Sequence, residues 1–421
     1  MKFLRYSLFL IIPIIIISIL TIHFNLFSIK DVIYDKYPNL NIRKYIFAQD
    51  PVFNKLHNDY NVKFIPFTEF LKLDLKKKKI NFKDDYYSKN AMEKSISYGK
   101  YGSFYLDLYK DQIIITDYLG NNYISKLNSL IDSDKNISTK IIKNNIKNIE
   151  RVYDALIDKD QIFLSYVKKE NDCKKIVVSS AKINMSEINY KEIFKSNSCH
   201  VNASPGRMVP FNLENQKGLI LTVSSGSYNS PSMESQDSSS IYGKTIFINL
   251  KNGEFRVFSS GHRVVQGLVS YKNMLIATEH GPRGGDEINV IKQGKNYGWP
   301  ISSFGEKYDF KYEKIPVYKK SHSDFGFEEP IFSYIPGIGI SEIIKMPESY
   351  SEMLPNVFIV SSLYGKSIYF VRFNKQFNKI LFSEKIFINE RIRDLKYEKT
   401  NELILLAFEE NGEIGIIRKI N

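Results

Sequence analysis

The chain has 421 residues, 43% of them hydrophobic, enough for a sizeable core in one large all-β domain or two ordinary ones. Its formal net charge of +13 comes from basic residues scattered among acids; a nucleic-acid partner needs a focused basic stripe, and none is visible. The 28 Tyr and 29 Phe suit strands better than helices.

From the N-terminus, Lys2 and Arg5 precede an almost unbroken apolar segment over residues 6–22 that carries no charge. Its length is at the lower edge for a spanning helix, and the small residues of a cleavage site are missing after it. Residues 1–27 are therefore expected to form an uncleaved transmembrane signal anchor. The positive flank would stay cytoplasmic, leaving the rest of the chain membrane-anchored and periplasmic or otherwise extracytoplasmic. Residues 28–94 read as a linker with an N-terminal strand segment, in which Leu71, Leu73 and Leu75 alternate with Lys72 and Asp74. The lysine run 76–79 that follows reads as the exposed edge of a strand.

From residue 95 to the end the chain turns into short strands at close intervals. Phe104, Leu106 and Leu108 alternate with Tyr105, Asp107 and Tyr109. Further strands are expected over 112–116, 161–167, 175–183, 218–223, 244–250, 254–258, 356–363, 367–373, 379–388 and 403–408. Many short strands without a helical period point to a barrel, sandwich or propeller, and the span is too long for one sandwich. The two cysteines, Cys173 and Cys199, flank strand-like stretches. An oxidising compartment would permit a disulfide between them, though sequence does not establish its geometry. No Cys/His spacing resembles a zinc site.

The densest local pattern is EHGPRGGDEINVIKQGKNYGWP over residues 279–300. Strands lead in at 274–277 and out at 288–291. Gly281 and the Gly284-Gly285 pair permit backbone angles closed to residues with a Cβ, so the loop can turn carbonyl oxygens inward. Asp286 and Glu287 add charged oxygens, and grouped hard oxygens are what Ca²⁺ binds. The bland alternative is an elaborate hairpin turn with solvated acids.

This run resembles the calcium- and cofactor-binding loop of the glucose/sorbosone dehydrogenase family, which includes soluble aldose sugar dehydrogenases that use pyrroloquinoline quinone (PQQ). Upstream, Ser260-Gly261-His262-Arg263-Val264-Val265-Gln266-Gly267-Leu268 is similar to the family's S-x-G-H-R-N-P-Q-G-L segment, and Arg391-Ile392-Arg393-Asp394 is similar to its R-I-R-D-V segment. The resemblance covers roughly residues 200–418, with a fainter echo back to about residue 95. It implies an all-β, six-bladed β-propeller with the quinone over its central channel. It also implies a calcium ion that polarises the reactive carbonyl, arginines that hold the cofactor's carboxylates, and a histidine that takes the proton from the sugar hydroxyl.

Carried onto this chain, the resemblance gives the calcium to the carbonyls of Gly281 and Pro282, and a second, structural calcium to Asp286, Glu287 and Tyr297. Arg391 and Arg393 would clamp carboxylates from one face of a strand, and Arg263 and Gln266 would complete the cofactor site. Read without the family, Arg391 to Asp394 is a surface ion pair on an ordinary strand.

The departures fall on the same site. The family's base histidine in H-x-x-G-R corresponds to Ala203 in Ala203-Ser204-Pro205-Gly206-Arg207, and an alanine methyl cannot accept a proton. Val264 stands for the family's Asn, Tyr364 for its Lys and Ile335 for its Trp. His200 would supply a base if its loop bends inward; otherwise it is an ordinary loop histidine, and the catalytic residue stays unassigned. His262 and His280 match ordinary family positions and are expected to be structural, while His23, His57 and His322 have no supporting context. Two functions follow: a divergent quinoprotein oxidoreductase acting on a sugar or related alcohol with PQQ and Ca²⁺, or a catalytically lapsed, calcium-stabilised propeller that binds a saccharide or other anionic small molecule.

Overall fold

Runs such as QIIITD and LILLAF place hydrophobic residues at consecutive positions, and neighbouring side chains of a strand point to opposite faces. Both faces of such a strand must therefore be covered. The computed structural model covers them by setting six sheets side by side around an axis. It describes residues 71, 73–80, 82, 102–132, 136–225, 233–307, 318–350 and 355–420. The expected anchor over 1–27 lies outside the described residues, among which no helix is long and apolar enough to cross a membrane.

Strand β1 (Leu73–Ile80) precedes the first blade. That blade comprises β2 (Phe104–Tyr109), β3 (Gln112–Asp117) and β4 (Asn122–Lys126), then, past a one-turn helix and the short β5 (Asn136–Ile137), β6 (Lys140–Asn144). The second blade holds β7 (Ile149–Asp158), β8 (Gln161–Glu170) and β9 (Cys173–Lys182). The short β10 (Glu187–Ile188) runs back to pair with β6, and β11 (Lys191–Lys195) completes the second blade. The third blade is β12 (Pro205–Leu213), β13 (Gln216–Val223), β14 (Lys244–Asn249) and β15 (Phe255–Ser260). The fourth is β16 (Val265–Tyr271), β17 (Met274–Glu279), β18 (Asp286–Ile291) and β19 (Phe332–Tyr334). The fifth is β20 (Ile340–Lys345), β21 (Val357–Ser362), β22 (Ser367–Phe373) and β23 (Ile380–Phe387). In the sixth, β24 (Ile392–Glu398), β25 (Leu403–Phe408) and β26 (Glu413–Lys419) are completed by β1, which runs antiparallel to β26 from Leu73 opposite Lys419 to Lys79 opposite Glu413. The propeller therefore begins ahead of residue 95, and the two ends of its sequence close the ring.

Each of six hydrophobic clusters spans two neighbouring blades. Phe358 and Val360 pack with Ile276 and Ile288 toward the fourth blade, while Ile359, between them, packs with Ile404 and Phe408 toward the sixth. Leu403 and Ile414 meet Phe104 and Ile113 across the seam between the last blade and the first. Fully burying one such side chain contributes roughly 1.5–3 kcal/mol, so the ring holds through its seams.

The innermost strands β2, β7, β12, β16, β20 and β24 neighbour one another around the channel. All but β2 carry a register irregularity against the next strand of their own blade. Carboxylates lace these strands together. Asp394 accepts from the Leu106 N–H (2.7 Å), Asp107 from Ile157 (2.7 Å), Asp154 from Met208 (2.8 Å) and Glu342 from Leu268 (3.3 Å). In the second blade, Cys173 and Cys199 form a disulfide with their Cα atoms 5.1 Å apart, tying the start of β9 to the loop that leads into β12.

Candidate active site at the channel mouth

One end of the channel opens into a pocket of about 440 Å³, within the range of about 300–1,000 Å³ usual for small-molecule sites. Inner strands and the turns leading into them supply its wall: Tyr105 from β2, Arg151 and Tyr153 from β7, Ser204 to Arg207 around the start of β12, and Arg263 to Gln266 at the approach to β16. His280, Gly281, Leu363 and Arg393 complete it. Among the described residues, four arginines line this pocket and no carboxylate does.

Of the four residues expected to hold a cofactor, three line the pocket: Arg263, Gln266 and Arg393. Arg393 Nη1 donates to Gln266 Oε1 at 2.8 Å, joining β24 to β16, and its Nε donates to Glu409 Oε2 at 2.8 Å. Arg391 is not part of the wall. Its Nε and Nη2 both donate to Glu409 Oε1, at 3.1 and 2.9 Å. The two arginines do meet on one side of their segment, but what they clamp there is a fully buried glutamate. Burial works against the Glu409 charge, yet Arg393 and Arg391 hold its carboxyl below the usual range. Ser103 Oγ donates to Glu409 Oε2 (3.0 Å) and accepts from Arg151 Nη2 (2.8 Å). An arc of hydrogen bonds thus runs from Arg151 through Ser103, Glu409 and Arg393 to Gln266.

Arg263 donates through its backbone N–H to Glu279 Oε1 and through Nη1 to the His280 carbonyl at 3.1 Å, with its guanidinium 5.3 Å from the Trp299 ring. At the floor, buried Arg207 donates through Nη1 to Asp154 (2.9 Å) and Asp394 (3.0 Å), and its Nε lies 2.9 Å from Glu342 Oε2. Its Nη2 reaches the Arg393 carbonyl at 2.8 Å.

The family's base position is closed. Ala203 is buried among Phe163, Val178 and Met208 and does not line the pocket. His200 does not line it either: its Nε2 lies 3.2 Å from Glu234 Oε2 and its ring 4.4 Å from that of Tyr242. A carboxylate and an aromatic face hold it away from the channel mouth.

In the glycine-rich loop, Gly284 (φ +88°) and Gly285 (φ +66°) take left-handed conformations, and a Cβ on Gly281 would collide with their carbonyl oxygens. Gly281 and Pro282 border a second cavity, of about 10 Å³, with Glu279, Glu287, Tyr297, Trp299 and His322. Adjacent residues of a strand face opposite ways, and the two neighbouring acids are separated accordingly. Asp286 accepts from the N–H groups of Gly281 (3.0 Å), Ile338 (2.8 Å) and Ile340 (3.0 Å) and so latches the loop to the fifth blade. Glu287 lies directly opposite Glu279 across β17 and β18. Burial, and then repulsion from Glu279, push the Glu287 carboxyl well above its ordinary range. Tyr297 borders the cavity, but its hydroxyl donates to the Val290 carbonyl at 2.6 Å and its ring stacks on buried His262 at 4.7 Å.

Two opposed carboxylates fit a hard cation, which would relieve their repulsion. Trp299, whose Nε1 is buried and without a hydrogen-bond partner among the described residues, and His322, whose Nε2 lies 3.6 Å from Glu287 Oε1, mark the same cavity as polar. No group of three or more His, Cys, Asp or Glu among the described residues is arranged to hold a metal, so a calcium ion here would depend on backbone carbonyls as well. For a planar anionic cofactor, the arginine-lined wall of the larger pocket fits.

A profile of the Glucose / Sorbosone dehydrogenase family matches residues 153–418. The chain belongs to the glucose/sorbosone dehydrogenase family. Aldose sugar dehydrogenase YliI of Escherichia coli is 30% identical over 177 residues, 40% of this chain and 45% of that protein. An uncharacterised protein of Synechocystis sp. is 33% identical over 161 residues, 38% of each chain. The chain thus spans less than half the length of these curated relatives in the matched region. Among solved structures, a glucose dehydrogenase superposes with a TM-score of 0.62 at 20% identity, covering 76% of this chain and 96% of that one. The PQQ-bound aldose sugar dehydrogenase of Streptomyces coelicolor gives 0.56 at 15% identity, covering 83% and 99%. At such identities the likeness is one of fold.

Proposed function

We propose that this member of the family is a divergent quinoprotein oxidoreductase acting on a sugar or related alcohol, with PQQ held at the channel mouth and Ca²⁺ beside it. The observation that carries this reading is the pocket wall, where Arg263, Gln266 and Arg393 converge among four arginines. Guanidinium forks match carboxylates in shape and charge. Arg393 is pre-oriented by Glu409 and Gln266, and Arg263 by the His280 carbonyl, so neither must be ordered when an anion arrives. The Gly281 and Pro282 carbonyls are the donors for a calcium at the pocket, and Glu279 with Glu287 for a structural one. The chemistry supplied from outside the chain is hydride acceptance at a quinone carbonyl polarised by calcium.

Proton removal is where this chain is poor. The Ala203 methyl accepts nothing, and His200 is engaged by Glu234. A general base typically contributes about 10²–10⁴-fold, so turnover should be slow by about that factor. The same observation favours the second reading, a calcium-stabilised propeller that binds a saccharide or other anion without oxidising it.

Dye-linked oxidation by protein reconstituted with PQQ and Ca²⁺ separates the two. The oxidoreductase reading expects slow, quinone-dependent dye reduction with at least one sugar. No quinone-dependent reduction leaves the binding module.

A further inference from the structure

Thr245, Ser259, His262 and Glu279 are all buried and form one hydrogen-bonded line. Ser259 Oγ lies 2.6 Å from Thr245 Oγ1 and 2.8 Å from His262 Nε2, and His262 Nδ1 lies 3.0 Å from Glu279 Oε2. Serine, histidine and carboxylate stand in the order of a nucleophilic triad. Ser259, however, borders neither the pocket nor the smaller cavity, which leaves its hydroxyl out of a substrate's reach. The line leads instead to Arg263. A carboxylate only accepts, so His262 Nδ1 carries the proton it shares with Glu279 Oε2, while Oε1 takes the backbone N–H of Arg263. Glu279 also stands opposite Glu287, and the two acids repel each other. The imidazole holds Glu279 against that repulsion, and with it the root of the Arg263 side chain. The tip of that side chain reaches the His280 carbonyl (3.1 Å) and lies 5.3 Å from the Trp299 ring.

We propose that His262 is a positioning residue for the pocket: through Glu279 it sets where Arg263 presents its guanidinium to an anionic ligand. The inference rests on the oxidoreductase reading for the identity of that ligand, the quinone, but the placement of Arg263 does not. A buried acceptor that loses one of its donors is costly to keep in place, and a guanidinium fork recognises a carboxylate only in the right orientation.

Two variants isolate the hydrogen bond. His262→Asn keeps a donor near the place of Nδ1 and His262→Leu has none, while both lose the ring stacked on Tyr297. The chain has one tryptophan, and a cation interacts electrostatically with an indole face, so Trp299 emission reports on Arg263 without any ligand. His262→Leu should shift that emission toward the spectrum of Arg263→Met, and His262→Asn should leave it as in wild type. In calorimetric titration of the full chain with PQQ plus Ca²⁺, His262→Leu should weaken binding about tenfold or more and His262→Asn by less than about threefold. In an Arg263→Met background His262→Leu should cost less than about twofold, because the two residues act as one unit. A histidine that merely supports the fold would make the two variants alike, and its cost would persist without Arg263; either result overturns the proposal. Where His262→Leu fails to fold, Ser259→Ala, which strips Nε2 of its partner, should move emission and affinity in the same direction, and unchanged values overturn the proposal. A flat wild-type PQQ titration alongside the emission shift removes the oxidoreductase reading and leaves the positioning role standing; PQQ binding indifferent to His262 does the reverse.

Discussion

At the floor of the pocket Asp154, Asp394 and Glu342 face Arg207, with Lys396 the other cation acting on them, and a buried site with more acids than cations disfavours keeping every acid ionised. The strain falls on Glu342. Burial pushes its carboxyl up to about 8, with Asp394 and Asp154 adding to the shift and Arg207 opposing it. A folded-state value above the ordinary 4.5 means that this group's contribution to stability is fully present below pH 4.5 and is lost as pH rises through about 8. The melting temperature should therefore fall between pH 4.5 and about pH 8, and Glu342→Gln, which keeps an oxygen for Arg207, should flatten that fall. An identical pH slope in the variant would contradict the assignment. The legibility of the site divides at the same scale. Arg263, Gln266 and Arg393 stand in word-like motifs, so the pocket wall could be named from sequence. Glu409 and Arg151 carry no local pattern, because their hydrogen-bond partners lie 16 or more residues away, and Arg391 reads as a ligand clamp only until its glutamate is seen.

Among the elements, the strands that bury both faces, such as β8, β13, β21 and β25, are legible as apolar runs. The inner strands β7, β12, β16, β20 and β24 are not. Their channel-side positions hold Asp154, Arg207, Gln266, Glu342 and Asp394, and their bulges break the two-residue period on which strand reading depends. The chemistry of the channel thus hides the very strands that build it. The disulfide is the element-scale feature with the clearest consequence. It closes a loop across a sequence separation of 26, for which loss of chain entropy in the unfolded state predicts about 3.5 kcal/mol of stabilisation. Replacing Cys173 and Cys199 together by Ser should shift the urea midpoint accordingly; an unchanged midpoint would show that the crosslink contributes nothing net.

For the whole molecule, the number of blades is not visible as self-similarity, because loops of unequal length separate the repeats; it follows from the family likeness and is seen directly in the six sheets. Ring closure is likewise a long-range fact. β1 covers the open edge of β26, and its Ile80 enters the cluster between the last blade and the first. Deleting residues 73–80 should expose an unpaired edge and yield aggregated protein or a sharply lowered melting temperature, whereas a monomer with unchanged melting would mean that the ring closes without it. The closed ring matters to function because it holds the pocket's arginines, which come from separate blades, at fixed positions around one opening. A charge-assisted hydrogen bond contributes roughly 1.5–3 kcal/mol, and about 1.4 kcal/mol is a decade in affinity. The most direct test is calorimetric titration of the full chain with PQQ in the presence and absence of Ca²⁺, for wild type and Arg393→Met. The account predicts saturable, calcium-dependent binding that weakens at least tenfold in the variant; no binding with calcium present, or binding indifferent to Arg393, would contradict it.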